Sequence, residues 1–493
     1  MAWILDQTKA LGYASIENTL ATLTTGCAKS DPLTFIVRLG DLTSSQNFLW
    51  TEAGLKTLEH YSRMVGVGRR LSRELVLGTL AADIWSGYTV LNERRRWWPD
   101  LVKSQDWQLQ HQRSAKRLLD TAALLGGTLI KACQFASTRP DILPATYIQT
   151  LSKLQDHVPP LAWSEVAKVI RRELGRDLGD VFERIEQEPI ASASIAQVHR
   201  AWLRDGRAVA VKVQYPGIAK IIATDLTVLQ KIITAMARLT PAIQLQPILD
   251  YLKETLPLEL DFRRELTAMT ELQAALRHRT DVLVPTGIPE LSTRRLLVME
   301  FVDGVKITDR EALLHAGISP SAVARLLNDV YAEQIFRLGI LHADPHPGNL
   351  FVQPGPKLVL LDHGLTVHLK PTLVQALGEM VQALLVLDFD RLTKALAQAG
   401  LKLDEQVDIT TLIQLVGVLL NGEQSPAKMD TVDVGQQLGK SIGHIPVELI
   451  LMGRALGLLD GITKQLNPDL NALEVVSNYI PHTPAPEIAA DSR

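Results

Sequence analysis

Cysteine is nearly missing from this chain: 493 residues contain two, Cys27 and Cys133. Neither a disulfide framework nor a cysteine-built zinc site is available, and a reducing compartment fits best. Long apolar runs are missing too. The longest uncharged stretch, Ile409 to Gly422, has 14 residues and includes Asn421, short of the roughly 18 to 20 that a membrane span requires. No spanning helix is expected. Nor is there an excess of one charge, with 51 basic against 54 acidic residues, which argues against a nucleic-acid binder with one dominant basic face. The opening MAWILDQTKALGYASIENTL has no basic stretch followed by a compact apolar core and too few arginines for a transit peptide.

What the chain does have is apolar bulk. With 46% hydrophobic residues it can bury a large core in more than one domain, and it is not a disordered protein. Charge is distributed unevenly. Residues 56–117 carry 12 Lys/Arg against 6 Asp/Glu, a net of about +6, whereas residues 371–493 carry 8 against 15, about −7. Six of eight tryptophans (Trp3, Trp50, Trp85, Trp97, Trp98, Trp107) lie in the first 107 residues. A basic, Trp-rich front points to contact with a membrane surface. Within it, Asn92 to Asp100 (NERRRWWPD) has two readings: a solvated helix end with aromatics packed on the core, or an interfacial anchor.

Residues 1–50 show no sustained periodicity. From 51 to 114 apolar positions such as Leu55, Leu58, Val65, Leu71, Leu75 and Leu80 recur at three- and four-residue steps, and a helical extension is expected. Helices continue over 115–180, redirected by prolines at 140, 144, 159 and 160. The pattern then changes. Ala208 to Gln214 (AVAVKVQ), entered through Asp205-Gly206 and left at Pro216-Gly217, reads as half of a β-hairpin. Another strand pair is expected near Val282 to Pro289 and Arg295 to Val302, with two short strands near Leu350 to Val352 and Leu358 to Leu361. Residues 371–480 are helical, and 481–493 form a Pro-rich tail.

Four features carry the chemistry. Lys212 sits mid-strand, where a lone lysine ordinarily projects to solvent. One hairpin after a small-residue loop, it becomes a candidate for nucleotide phosphates. That loop, Pro189 to Val198 (PIASASIAQV), has alanines 191, 193 and 196 at the glycine places of a kinase GxGxxG. Alanine disfavours positive φ and blocks the closest backbone approach to phosphate, so this loop grips nucleotide differently, unless it is a packing element. Asp344 and Asn349 in HADPHPGN stand five apart, as in the kinase HRDxxxxN loop. Leu360 to Gly364 (LLDHG) is a strand ending where kinases carry DFG, 18 residues beyond Asp344. His342 and His346 have no partner cluster at zinc spacing. Oxygen donors from Asp344, Asn349 and Asp362 are too few for an all-protein cage and suit Mg²⁺ bridging to phosphates.

Together these residues resemble the UbiB/AarF family of atypical kinase-like ATPases, which includes coenzyme Q-associated kinases of mitochondria and chloroplast relatives. The resemblance covers about 115–370. It includes Lys131-Ala132-Cys133-Gln134, similar to the family's KxGQ segment, then Ser137 to Pro144 (STRPDILP), and Glu259-Leu260-Asp261, similar to its ExD motif. It implies an α+β, bilobal protein-kinase-like fold with a mainly helical C-lobe. The implied divisions are family-specific helices at 115–180 over the cleft and a kinase-like domain at 181–480, with N-lobe 181–302 and C-lobe 303–480. By the same resemblance Lys212 pairs with Glu265, Lys131 approaches Asp362 and Glu259 at the space a protein substrate needs, and Gln134 and Glu259 count among the nucleotide-binding residues. Ala191, Ser192, Ala193, Ser194 and Asp261 join the nucleotide site, Asn349 and Asp362 hold Mg²⁺, and Asp344 orients the attacking group. Cys133 replaces the family glycine and adds volume to its helix. Ser192 replaces an alanine, and His363 stands where kinases have phenylalanine.

The implied function is Mg-ATP binding and hydrolysis in support of isoprenoid quinone or related lipid metabolism at a membrane surface, with a membrane lipid or quinone precursor as partner. The implied location is peripheral to a bacterial membrane on the cytoplasmic side, or a mitochondrion or chloroplast. A nucleotide-switched lipid-binding chaperone is the alternative and a protein kinase the third. The chain passes from Gly364 to the helical stretch near Pro371 without an Ala-Pro-Glu or a long phosphorylatable segment, which argues against peptide substrates.

Overall fold

The computed structural model describes residues 69–137, 143–154, 160–239, 245–386, 388–401 and 446–480. Expectations for residues 1–50, for Ile409 to Gly422, for most of the segment after Ser137 and for the tail lie outside them. In chain order, four helices come first: α1 (Arg69–Trp97), α2 (Ser104–Leu125), α3 (Thr128–Ala136) and α4 (Ala145–Leu151). Helix α5 (Trp163–Leu174) leads into strands β1 (Phe182–Ile185), β2 (Ala191–Ser192), β3 (Ala196–Leu203) and β4 (Ala208–Gln214). Helices α6 (Ile218–Leu239), α7 (Gln246–Glu259) and α8 (Phe262–Ala275) follow, then β5 (Val282–Leu283), β6 (Leu296–Glu300) and β7 (Val305–Lys306). Next come α9 (Arg310–His315), α10 (Pro320–Glu333) and strands β8 (Ile340–His342), β9 (Leu350–Gln353), β10 (Lys357–Leu360) and β11 (Thr366–His368). Helices α11 (Pro371–Leu385), α12 (Phe389–Gln398), α13 (Val447–Leu466) and α14 (Ala472–Ser477) close the described part.

The chain forms two compact units. The first is helical and takes α1 to α4 together with α6 and α7 up to Leu256, so residues 217–256 group with these helices and not with the strands that flank them in sequence. Gly126 and Gly127, both at positive φ (65° and 55°), turn α2 into α3, a conformation a Cβ would strain. Arg73 of α1 forks onto Asp225 of α6 at 2.7 and 2.6 Å and also donates to the Leu125 carbonyl. Asp83 is buried with Arg117. Phe135 stacks on Tyr251 with ring centroids 3.5 Å apart. Among the described residues no helix is long and apolar enough to cross a membrane.

The second unit holds the strands. Its first sheet runs β1-β3-β4-β6, with β2 added on β3. The β3–β4 hairpin forms as the Asp205-Gly206 signal predicts, Gly206 taking φ 86° and Ala201 pairing with Val209. Its buried face, with Val209, Val211 and Val213 of β4 and Leu296 and Val298 of β6, meets Val166 and Ile170 of α5. Burying each such side chain is worth about 1.5 to 3 kcal/mol. The second expected strand pair forms differently. β6 pairs with β4, while β5 pairs in parallel with β10 in a second sheet ordered β5-β10-β9-β7. The two segments are joined by a bridge from Gly287 to Met299, by neighbouring backbone bonds and by the Thr286 N–H donating to Glu300 Oε2.

The run from Glu259 through α8, continuous in its helical pattern, is broken at Leu260 and Asp261. Asp261 accepts from the Arg263 backbone N–H and caps α8. Beyond the Phe301 to Gly304 connection the unit is mainly helical, α10 packing on α13 and α14, with β8–β11 forming a two-stranded ribbon. A mixed α/β kinase-like body with a helical second lobe is thus what the chain builds.

Candidate active site

Lys212 stands at the centre of β4 between Val211 and Val213, both buried, and its own side chain points into the unit. Its Nζ donates to both carboxylate oxygens of Glu265 on α8, at 2.7 and 2.9 Å, and lies 3.2 Å from Asp362 Oδ2. Lysine and glutamate are each buried, so the pair is desolvated and held by geometry. Burial alone would lower the lysine's pKa, but the Asp362 and Glu265 carboxylates outweigh it and hold it protonated. Helix α8 delivers Glu265 in its first turn, just beyond the Asp261 cap. Burial pushes the Glu265 carboxyl up, Lys212 pulls it back down, and the negative charges of Asp362 and of Glu259, at the end of the preceding helix, add to the rise.

Asp362 has φ 56° and is the one non-glycine residue at positive φ among the described residues. Aspartate is among the few types that visit this region, and such strain is kept where surrounding structure over-determines it. Here the surroundings are specific. His342 Nε2 lies 3.0 Å from the Leu361 carbonyl and 2.9 Å from that of Asp362, so it carries the proton and Nδ1 accepts from Tyr331 at 2.9 Å. The His342 backbone N–H is in turn taken by Gln334, at the start of a π-helical turn after α10. The Gly364 N–H donates to Asp362 Oδ1 at 3.2 Å. His363, by contrast, turns inward, tilted edge-on to His342 with centroids 5.3 Å apart, and donates Nε2–H to the Leu360 carbonyl. Burial, reinforced by His342, lowers its pKa to about 3, so it is neutral.

The loop after β8 is fastened to the Asp362 strand by Ala343 N–H to Leu365 and Leu361 N–H to Asn349. Asn349 donates Nδ2 to the Asp344 carbonyl at 3.1 Å, which leaves the amide oxygen turned away from that carbonyl. Asp344 Oδ1 accepts from Arg454 of α13 at 2.9 Å. A hard cation fits this donor set: one carboxylate at a fixed backbone angle and one amide oxygen, with no cluster of three His, Cys, Asp or Glu among the described residues. Two protein oxygens suit Mg²⁺ shared with phosphates. His342 is committed inward and His346 Nδ1 accepts from Gly348 N–H, which leaves neither placed as in a zinc site.

The alanine-rich segment is a hairpin of β2 and β3 closed through Ala193 N–H to Ala196, with no positive φ at any of its alanines. Ser194 is buried and Ala191 exposed. The Ser192 hydroxyl is engaged with that of Tyr215 at 2.6 Å. Asp261 is occupied with its cap and with Arg263. Lys131 and Gln134 are half-buried on α3 of the helical unit, around a fully buried Cys133 whose thiol burial pushes up to about 12. The structure therefore groups Lys212, Glu265 and Asp362, and separately Asp344 with Asn349. Sequence reasoning missed Arg454, although a lone arginine in the apolar run Leu449 to Leu459 was a signal.

A lysine on a five-stranded sheet paired with a helix glutamate, a catalytic-type Asp/Asn loop and a strand-end aspartate define the class: a kinase-like enzyme body. A model of the ABC1 atypical kinase-like domain matches residues 153–396. AarF domain-containing protein kinase 1 of Gallus gallus is 31% identical over 400 residues, covering 76% of this chain and 74% of that protein. The Xenopus tropicalis protein of the same name is 36% identical over 321 residues, 64% of this chain, and the match spans 61% of that protein's length. A Mycobacterium tuberculosis protein, Rv3197, solved in complex with erythromycin, is similar at TM-score 0.53 and 25% identity, over 75% of this chain and 96% of that one. The chain belongs to the UbiB/AarF family of atypical kinase-like proteins.

Proposed function

We propose that this protein binds Mg-ATP and hydrolyses it, or passes its γ-phosphoryl to a small or lipidic acceptor, in support of isoprenoid quinone or related lipid metabolism at a membrane surface. The observation that carries the nucleotide part is the triad of Lys212, Glu265 and Asp362, a buried ion pair joined to a more exposed carboxylate that a structural scaffold has no use for. Lys212, oriented by Glu265, positions phosphates; Asp362 and Asn349 would hold Mg²⁺; Asp344 orients the attacking oxygen. The cation supplies neutralisation of charge on the phosphates. Only β11 and a short turn separate Gly364 from α11, which speaks against a platform for peptide substrates. The macrolide held by the Mycobacterium tuberculosis relative is likewise a small molecule rather than a protein.

Support for the membrane part comes from the end of α1. Trp97 and Trp98 are 67% and 59% exposed beside Arg94, Arg95 and Arg96, with Leu101 also exposed, so these aromatics are not packed on a core. Such a tip suits an anionic interface. The test is steady-state ATPase activity with and without anionic liposomes, comparing wild type with Asp362→Asn. Lipid-stimulated turnover lost in the variant supports the enzyme. Nucleotide-dependent liposome binding without turnover would favour the lipid-binding chaperone, and efficient phosphorylation of added proteins the protein kinase. A gene deletion leaving every isoprenoid lipid unchanged would sink the pathway.

A further inference from the structure

Between Leu449 and Leu459 helix α13 reads LILMGRALGLL, with Arg454 its one charged residue in that stretch. Arg454 is half-buried, and its Nη2 donates to Asp344 Oδ1 at 2.9 Å, 110 residues earlier in the chain. Withdrawing a guanidinium from water has a cost that attraction to one carboxylate offsets only in part, so stability alone is a poor account of the contact. The helix does not depend on it for its seat. Asn328 of α10 donates to Thr463 Oγ1 at 2.8 Å in a buried bond, and Gln465 reaches the Thr308 carbonyl. Arg454 is therefore carried on an element fixed by other contacts, as a residue that sets geometry needs to be. Asp344 is gripped from two sides, its carbonyl by Asn349 and its carboxylate by Arg454.

We propose that Arg454 is a positioning residue for phosphoryl transfer: by holding Oδ1 of Asp344 it leaves Oδ2 to orient the attacking water or hydroxyl. The proposal rests on the Mg-ATP reading above and adds a residue to it. In the step itself the attacking oxygen bonds to the γ-phosphorus and the bond to the bridging oxygen breaks, its electron pair leaving with ADP. The attacking group's proton ends on the transferred phosphoryl or in solvent. The transition state of such transfers is loose, so orientation of the nucleophile matters more than early removal of its proton. A carboxylate pinned at one oxygen supplies that orientation; a freely rotating one does not.

The test uses the full chain as wild type, Arg454→Gln, Arg454→Lys, Asp344→Asn and the Arg454→Gln/Asp344→Asn double variant. Turnover of Mg-ATP is measured alongside calorimetric binding of Mg-ADP. Arg454→Gln is expected to lower kcat about 10- to 100-fold, the size of effect that loss of alignment gives, while KM and the Mg-ADP Kd stay within about two-fold. The double variant should be no slower than Asp344→Asn alone, since Arg454 acts through that carboxylate. Arg454→Lys, which keeps the charge and loses the planar fork, should recover part of the rate; it also serves if the glutamine variant folds poorly. Additive losses, a weakened Kd with unchanged kcat, or a rise in turnover that would make the contact a brake would each overturn the proposal. Wild-type turnover with an unaffected Arg454→Gln removes this proposal alone, whereas Mg-ADP binding without wild-type turnover removes the enzyme reading and this with it.

Discussion

Replacing Lys212 by methionine keeps most of the side-chain volume and deletes the one cation that both Glu265 oxygens contact. The side chain of Glu265 is 6% exposed, so it cannot turn to water for compensation. Removing one partner of a buried pair costs about 3 to 5 kcal/mol, whereas replacing both by apolar groups of similar shape is often near neutral. With an unfolding entropy of about 2.1 cal/mol/K per residue, a chain of this size shifts by about 1 to 2 °C per kcal/mol, so Lys212→Met should lower the nucleotide-free Tm by roughly 3 to 10 °C. Lys212→Met/Glu265→Leu should regain most of that loss. Scanning calorimetry of the full chain without nucleotide measures it, and a second scan with Mg-ADP separates folding from function. A ligand at 100 times its Kd adds about 2.7 kcal/mol to the folded state, so wild type should melt higher with Mg-ADP while both variants stay unmoved. If Lys212→Met melts with or above the double variant, the argument that a stranded carboxylate sets the loss is refuted.

Other outcomes follow from single sites. His363 stays neutral in the fold down to about pH 3 yet takes a proton below about 6.5 when unfolded, so its contribution is intact above 6.5 and shrinks as the pH falls towards 3. Between pH 6.5 and 5 that amounts to about 2 kcal/mol, and His363→Phe should flatten this limb of the urea-denaturation profile. Arg279→Ala takes the guanidinium from buried Glu333, which keeps its contact with His278, and from Asp281 and Asp329, and should destabilise by about 3 kcal/mol; an ATP KM moved more than two-fold would show the network does more than brace the fold. Ser192→Ala gives up a bond to Tyr215 worth about 1 kcal/mol and should leave the Mg-ADP Kd within about two-fold. Trp97→Ala/Trp98→Ala should abolish liposome co-sedimentation without shifting Tm, because both rings are exposed.

The parts legible in sequence were those whose signals are local. Asp205-Gly206 announced its hairpin, β9 and β10 were legible as short strands, and the spacings of Lys212, Asp344, Asn349 and Asp362 pointed to a kinase-like body before any partner was known. Choice of partner was harder to read. β5 has two residues, too few to encode which sheet it joins, and a contact with β10 some 75 positions on decided it. The break between Glu259 and Glu265 was hidden because Asp261 looked like a binding residue of a motif rather than the N-cap that divides two helices. Residues 217–256 carry sound helical periodicity, but periodicity does not say which core a helix will join. Arg454 reaches Asp344 across 110 positions, and only three-dimensional packing reports such a pairing.

The backbone of Asp362 also governs which experiments on this site can be interpreted. At φ 56° the position suits glycine, asparagine and aspartate, and a β-branched or bulky side chain would pay a strain penalty before any question of charge arose. Asparagine keeps the shape and the turn to the Gly364 N–H while removing only the negative charge. An alanine or valine scan would confound a bent backbone with a lost ligand; the asparagine variant separates electrostatics from conformation.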